Sequence, residues 1–166
     1  MKRLSSVVGV LLAAAALTLS SSIWAYDSAL AESYANLFAP VQGAKAGKHM
    51  HLIKPEMLVN AVKAKKPIVV IDIRTPVEMN IVGSTLPGTL TIPINELFKE
   101  ENLRTIPVDK KVVILCKSGT RATAAGTALR HLGFKNVYIL KGGLKGLIGY
   151  LGPKEANSPL KKAVKK

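Results

Sequence analysis

Three unbroken apolar runs govern how this chain can fold: Ile68-Val69-Val70-Ile71-Asp72-Ile73, Lys111-Val112-Val113-Ile114-Leu115 and Val137-Tyr138-Ile139-Leu140. A strand that alternates apolar and polar residues has one wet face. A strand apolar on consecutive positions is covered on both faces, the signature of a parallel sheet under helices. Helical signals separate the runs. Pro55 suits a first helical turn, with Met57, Leu58, Ala61 and Val62 as the apolar stripe. Residues 95–103 read as a helical turn or two. Arg121–Leu132 is rich in Ala and Leu and is stopped by Gly133. Gly142-Gly143 leads into a short helix near Leu144–Leu151. Leu52-Ile53 and Thr89–Ile94 are shorter strand candidates. Strands alternating with helices over about 100 residues predict one α/β domain with a largely parallel sheet. In such sheets ligands bind outside the carboxyl ends of the strands. Cys116 follows directly after the Val112–Leu115 run.

The N-terminus reads as a secretory signal over residues 1–25. Lys2 and Arg3 start it, an apolar run from Val7 to Leu19 follows, and Ser22 or Ala25 offers the cleavage point. The run is too short for an ordinary membrane span, so no stable span is expected after cleavage. The compartment expected is the periplasm. Residues 26–50 form an extension in which Ala29, Tyr34, Leu37 and Phe38 could line one helix face, with a loop from Gly43 to Lys48. The domain proper is expected over 51–152 and a basic tail over 153–166, with Lys161, Lys162, Lys165 and Lys166 solvated. The formal charge is +14, and +12 once Lys2 and Arg3 leave with the signal. That balance favours small anions, acidic protein partners or anionic membrane surfaces. Nucleic acid is not expected as a partner in an exported protein.

Cys116 is the only cysteine, so no internal disulfide can form. An unpaired cysteine in an exported chain is a reactive-thiol candidate, weighed against an inert buried thiol. Its neighbours decide for reactivity. The segment Cys116-Lys117-Ser118-Gly119-Thr120-Arg121 joins a buried strand to a helix. Helix N-termini leave N–H groups unpaired and carry partial positive charge. A loop curling over that end makes an anion nest. Gly119 permits the turn, and Lys117 and Arg121 add positive charge. Such surroundings favour the nucleophilic thiolate, and equally a persulfide. Ser118 and Thr120 can bind a ligand or cap the helix.

Four ordered stretches resemble the rhodanese homology domain: Val70-Ile71-Asp72-Ile73-Arg74-Thr75-Pro76-Val77-Glu78, Leu86-Pro87-Gly88 with Thr91-Ile92-Pro93, the Cys116–Arg121 loop, and Leu140-Lys141-Gly142-Gly143. Together they span about residues 50–152. The resemblance implies a parallel sheet flanked by helices on both sides. It also implies a sulfurtransferase that takes sulfane sulfur from thiosulfate or a similar anionic donor. Cys116 would carry it as a persulfide and pass it to a thiol or cyanide, with Lys117, Ser118, Gly119, Thr120 and Arg121 binding the donor. No cofactor or metal is implied. Phosphatases and arsenate reductases of the wider fold place five residues between cysteine and arginine. Here four intervene, a tighter cradle suited to a single sulfur atom. Thr85 stands where the family often has histidine, and Leu147 where it often has tryptophan.

Asp72, Arg74 and Glu78 are read as an ion-pair group that fixes the neighbouring loop, ahead of a substrate role for Arg74. His49, Met50 and His51 suit copper by chemistry, but three adjacent residues favour a solvated loop. A second function class stays open: a non-catalytic rhodanese-like module that carries sulfur or binds a partner. A thiol oxidoreductase is disfavoured, because no second cysteine can resolve a mixed disulfide.

Overall fold

A computed structural model describes residues 25–159. The signal expected over 1–25 lies, Ala25 apart, outside the described residues, as do the four lysines of the tail. Five parallel strands form one sheet in the order β1-β5-β4-β2-β3: β1 Leu52–Ile53, β2 Ile68–Asp72, β3 Thr89–Thr91, β4 Lys111–Leu115 and β5 Val137–Leu140. The unbroken apolar runs became its three central strands, where both faces are covered. The flanks are short, and β3 stops at Thr91 because Pro93 cannot extend a ladder.

The two faces carry separate cores. Ile71, Val112, Ile114, Val137 and Ile139 face one side, under helix α6 (Thr120–His131) with its buried Ala122, Ala125 and Leu129. Ile68, Val70, Val113, Leu115 and Leu140 face the other. There they meet helices α3 (Pro55–Lys63) and α7 (Gly143–Tyr150) through Leu58, Val59 and Leu147. Helices thus flank the sheet on both sides. Leu147, at the expected tryptophan position, is 3% exposed and fills this second core. Gly126 lets α6 lie close on β5, since a Cβ there would sit 2.6 Å from Ile139 Cγ1.

Several local expectations are corrected. Met57 is 54% exposed, so the inner stripe of α3 is Leu58 and Val59 with Ala61 and Val62 packed against the same core. The loop expected over Gly43–Lys48 holds a 3₁₀ turn, Gly43–Lys45, and a short helix α2, Ala46–His49. The expected tail opens with helix α8 (Pro153–Asn157), held by Lys63 Nζ, which donates to Ser158 O at 3.0 Å. Helix α1 (Ser28–Phe38) buries no residue. It touches α6 where the Tyr34 ring stacks on His131, centroids 4.0 Å apart, and Ser33 Oγ bonds His131 Nε2 at 2.6 Å. Among the described residues, no helix is long and apolar enough to cross a membrane.

Candidate active site

β4 ends at Leu115, and Cys116 follows, fully buried. The chain then turns through Gly119, whose φ of +97° is left-handed, into α6. This turn brings two backbone donors onto the thiol: Gly119 N–H and Ala122 N–H lie 3.1 and 3.4 Å from Cys116 Sγ. The loop's carbonyls face the other way. Cys116 O and Lys117 O accept from the first free N–H groups of α7, Leu144 at 2.8 Å and Lys145 at 3.0 Å. One helix N-terminus therefore serves the loop's acceptors, while the loop's donors and the start of α6 surround the sulfur. The Gly142-Gly143 pair makes that approach possible. A Cβ on Gly143, whose φ is +56°, would lie 2.3 Å from Cys116 O and 2.7 Å from Gly119 N.

Arg121, in the first turn of α6, forms a two-pronged pair with Glu78: Nη1 to Oε2 at 2.8 Å and Nη2 to Oε1 at 2.7 Å. Glu78 also closes the start of helix α4 (Pro76–Ile81). Its Oε2 accepts from Thr75 N–H at 2.9 Å, and Thr75 Oγ1 accepts from Glu78 N–H at 3.3 Å. The Arg121 guanidinium, then the Thr75 amide, hold the Glu78 carboxyl down at about 2. Arg121 is held all the more firmly in its charged form, first by Glu78 and in smaller part by the Cys116 sulfur.

The ion-pair group expected around Arg74 is built differently. Arg74 pairs with Asp72, Nε to Oδ1 at 2.9 Å and Nη2 to Oδ2 at 2.6 Å, both residues buried. Glu78 gives Arg74 only its backbone carbonyl, at 3.3 Å, and Val82 O accepts at 2.7 Å. The Glu78 carboxylate goes to Arg121 instead, 43 residues away. Ser118 and Thr120 do not cap α6. The N-cap is Gly119, without a side-chain bond, and the two exposed hydroxyls lie 3.3 Å apart. Lys117 is exposed beside them. His51 is occupied as a brace: Nδ1 bonds Val137 O at 3.0 Å and its ring stacks on Tyr138. Among the described residues no cluster of three metal-binding side chains occurs.

A sulfur atom at a strand's carboxyl end, met by two backbone N–H donors at a helix start, is placed to act as a nucleophile and to hold an added anionic sulfur. The rhodanese-like domain family matches residues 54–149, more than half of the chain. A sulfurtransferase of Allochromatium vinosum is 33% identical over 92 residues, which cover 55% of this chain and 82% of that one. The mitochondrial thiosulfate sulfurtransferase RDL2 of Saccharomyces cerevisiae is 32% identical over 50% of this chain and 56% of its own. A probable adenylyltransferase/sulfurtransferase MoeZ of Mycobacterium tuberculosis is 33% identical, but this chain spans only 23% of it. Among solved structures, a rhodanese-related protein of Thermoplasma volcanium superposes with TM-score 0.51 at 29% identity, over 60% of this chain and 91% of that one. This chain belongs to the rhodanese-like domain family. At the level of that family, its relatives tie it to sulfur transfer.

Sequence reasoning missed Glu78 as the partner of Arg121 and Gly143 as the support of the cysteine loop. The Thr75-x-x-Glu78 spacing does signal a helix start, so α4 was readable. The 43-residue reach to Arg121 left no mark in the sequence.

Proposed function

We propose that the protein is an exported, periplasmic sulfurtransferase that works through a Cys116 persulfide. The observation that carries this reading is the pair of N–H groups, from Gly119 and Ala122, aimed at the Cys116 sulfur. Cys116 thiolate attacks the outer sulfur of thiosulfate or a similar donor. A new S–S bond forms, the donor's S–S bond breaks, and sulfite leaves with the electron pair. The added sulfur extends one S–S length, about 2 Å, beyond a thiol that is itself fully buried. The loop N–H groups balance its negative charge. Lys117 draws the anionic donor toward the loop. Arg121, neutralised by Glu78, acts as a dipolar wall that faces the leaving anion. A thiol or cyanide then attacks the outer sulfur, and Cys116 leaves as thiolate. Export rests on Lys2, Arg3 and the Val7–Leu19 run.

Intact mass of the full chain after thiosulfate, before and after cyanide, tests the chemistry. One added sulfur atom is expected on the wild type and none on Cys116→Ser. Cyanide should remove it and yield thiocyanate. A folded wild type with a free thiol that gains no sulfur from thiosulfate or an organic persulfide would overturn the reading.

A further inference from the structure

Beside the cysteine loop lies an open depression of about 360 Å³ between α4 and α7. Ile81 and Val82 at the end of α4 line one side, and Leu144 and Ile148 of α7 the other, with Lys117 and Lys145 on its rim. Ile81 is 78% exposed, Ile148 56% and Val82 45%. The two other charged residues at its edge, Arg74 and Glu78, are already paired, with Asp72 and Arg121. The charge left to the rim is therefore positive. Such a volume is in the range that holds a drug-sized group, far larger than cyanide or thiosulfate needs. Apolar side chains left in water next to Lys117 of the cysteine loop are the kind of patch that marks an interaction site.

We propose that this depression docks the sulfur acceptor, and that the acceptor is a protein thiol on a segment carrying apolar and acidic residues. The inference rests on the persulfide reading and narrows it to a class of acceptor. Apolar side chains of the segment fill the space between Ile81 and Ile148, and its carboxylates meet Lys117 and Lys145. Docking there sets the acceptor cysteine beside the loop. Its thiolate attacks the outer sulfur of the Cys116 persulfide, one S–S bond forms as another breaks, and Cys116 departs as thiolate. The acceptor leaves as a persulfide, with no change in oxidation level overall. Complementary charge speeds encounter and selects the partner.

The test uses the full chain loaded with thiosulfate and two synthetic cysteine peptides of equal apolar content, one flanked by Asp and Glu, the other by Lys. Cyanide serves as the control acceptor. The wild type should favour the acidic peptide about tenfold in kcat/KM, with the preference shrinking as salt rises. Ile81→Ser/Ile148→Ser should raise the KM for the acidic peptide about tenfold. Lys145→Glu should abolish the preference between peptides. Ile81→Ser/Ile148→Ser should keep cyanide turnover, because both side chains are exposed and lie outside the cysteine loop. Equal rates with the two peptides, or variants indistinguishable from wild type, would overturn the docking proposal while the persulfide reading stands. A wild type that gains no sulfur from thiosulfate or an organic persulfide would overturn both. A dimer in size-exclusion that Ile81→Ser/Ile148→Ser dissociates would assign the face to a second copy. Retention by phosphatidylglycerol vesicles that depends on the same residues would assign it to lipid. Either result would overturn the protein-thiol assignment.

Discussion

The ends of β2 and β4 make an instructive pair. The two strands are neighbours in register, Asp72 beside Leu115, and each runs at its carboxyl end into a helix. After β2 the buried charges are spent on each other. Asp72 and Arg74 are buried and joined by three side-chain hydrogen bonds, and the guanidinium also reaches Glu78 O and Val82 O. After β4 the donors converge on a single polarisable sulfur, and the nearby hydroxyls and Lys117 stay exposed. One strand end is a lock and the other a cradle. Glu78 joins them: its carbonyl serves the lock and its carboxylate serves Arg121 beside the cradle. Closing one end rigidly leaves the other free to present donors to a ligand.

The largest effect should come from breaking the lock. Arg74→Ala leaves the Asp72 carboxylate buried without its charged partner and takes a guanidinium donor from Glu78 O and from Val82 O. A loss of about 3–5 kcal/mol is expected in urea unfolding. A loss under about 1 kcal/mol would show that the β2 end does not hold the site in place. Next comes Gly143→Ala, whose Cβ meets backbone, not a yielding side chain, at 2.3 Å from Cys116 O. Strain and displacement should cost about 1–3 kcal/mol. Because the displaced atoms belong to the cradle, sulfur loading should fall by more than the stability loss explains. Loading that simply tracks the folded fraction would deny Gly143 a part in shaping the cradle.

Glu78→Gln loosens the joint between the two ends. The pair with Arg121 is about one-third exposed, so solvent screening limits the loss to about 1 kcal/mol. The pH dependence is the sharper reading. The folded carboxyl is depressed from about 4.5 to about 2. Its contribution is therefore fully present above the ordinary glutamate range and is lost as pH falls through about 2. Wild type and Glu78→Gln should thus converge in stability across that acid window and differ at neutral pH. A constant gap at all pH values would mean the carboxylate's charge is not what matters.

The cradle was legible where its chemistry is local in sequence. Unbroken apolar runs gave away the central strands, and Cys116–Arg121 needed only the rule that ligands sit at strand ends. The lock was half legible: Asp72 and Arg74 are two residues apart, so their pairing is local. Reading the Glu78 carboxylate as Arg74's partner failed, because helix α4 turns it toward Arg121, a residue brought in by the sheet order. The same reasoning explains α2 and α8. Short helices owe their stability to tertiary contacts, such as Lys63 on Glu155 O of α8 and on Ser158 O just after it, and carry little pattern of their own. Strand order and the contact between the two glycine-bearing turns are likewise facts of assembly.

The smallest effect on stability should come from Lys117, an exposed side chain at the mouth of the cradle. Lys117→Ala should leave unfolding unchanged within about 0.5 kcal/mol. It removes the one loop cation that no carboxylate neutralises among the described residues, since Arg121 is already matched by Glu78. One exposed charge near an anion is worth about 1 kcal/mol in water. The KM for thiosulfate should therefore rise about fivefold, with kcat little altered, and the difference should fade at high salt. Sequence alone shared the anion-attracting role between Lys117 and Arg121. A larger KM effect from Arg121→Ala than from Lys117→Ala, in variants of equal stability, would return that role to the arginine. It would also mean that the Glu78 pair opens when donor binds, so that the strand end that looks paired at rest becomes part of the cradle in use.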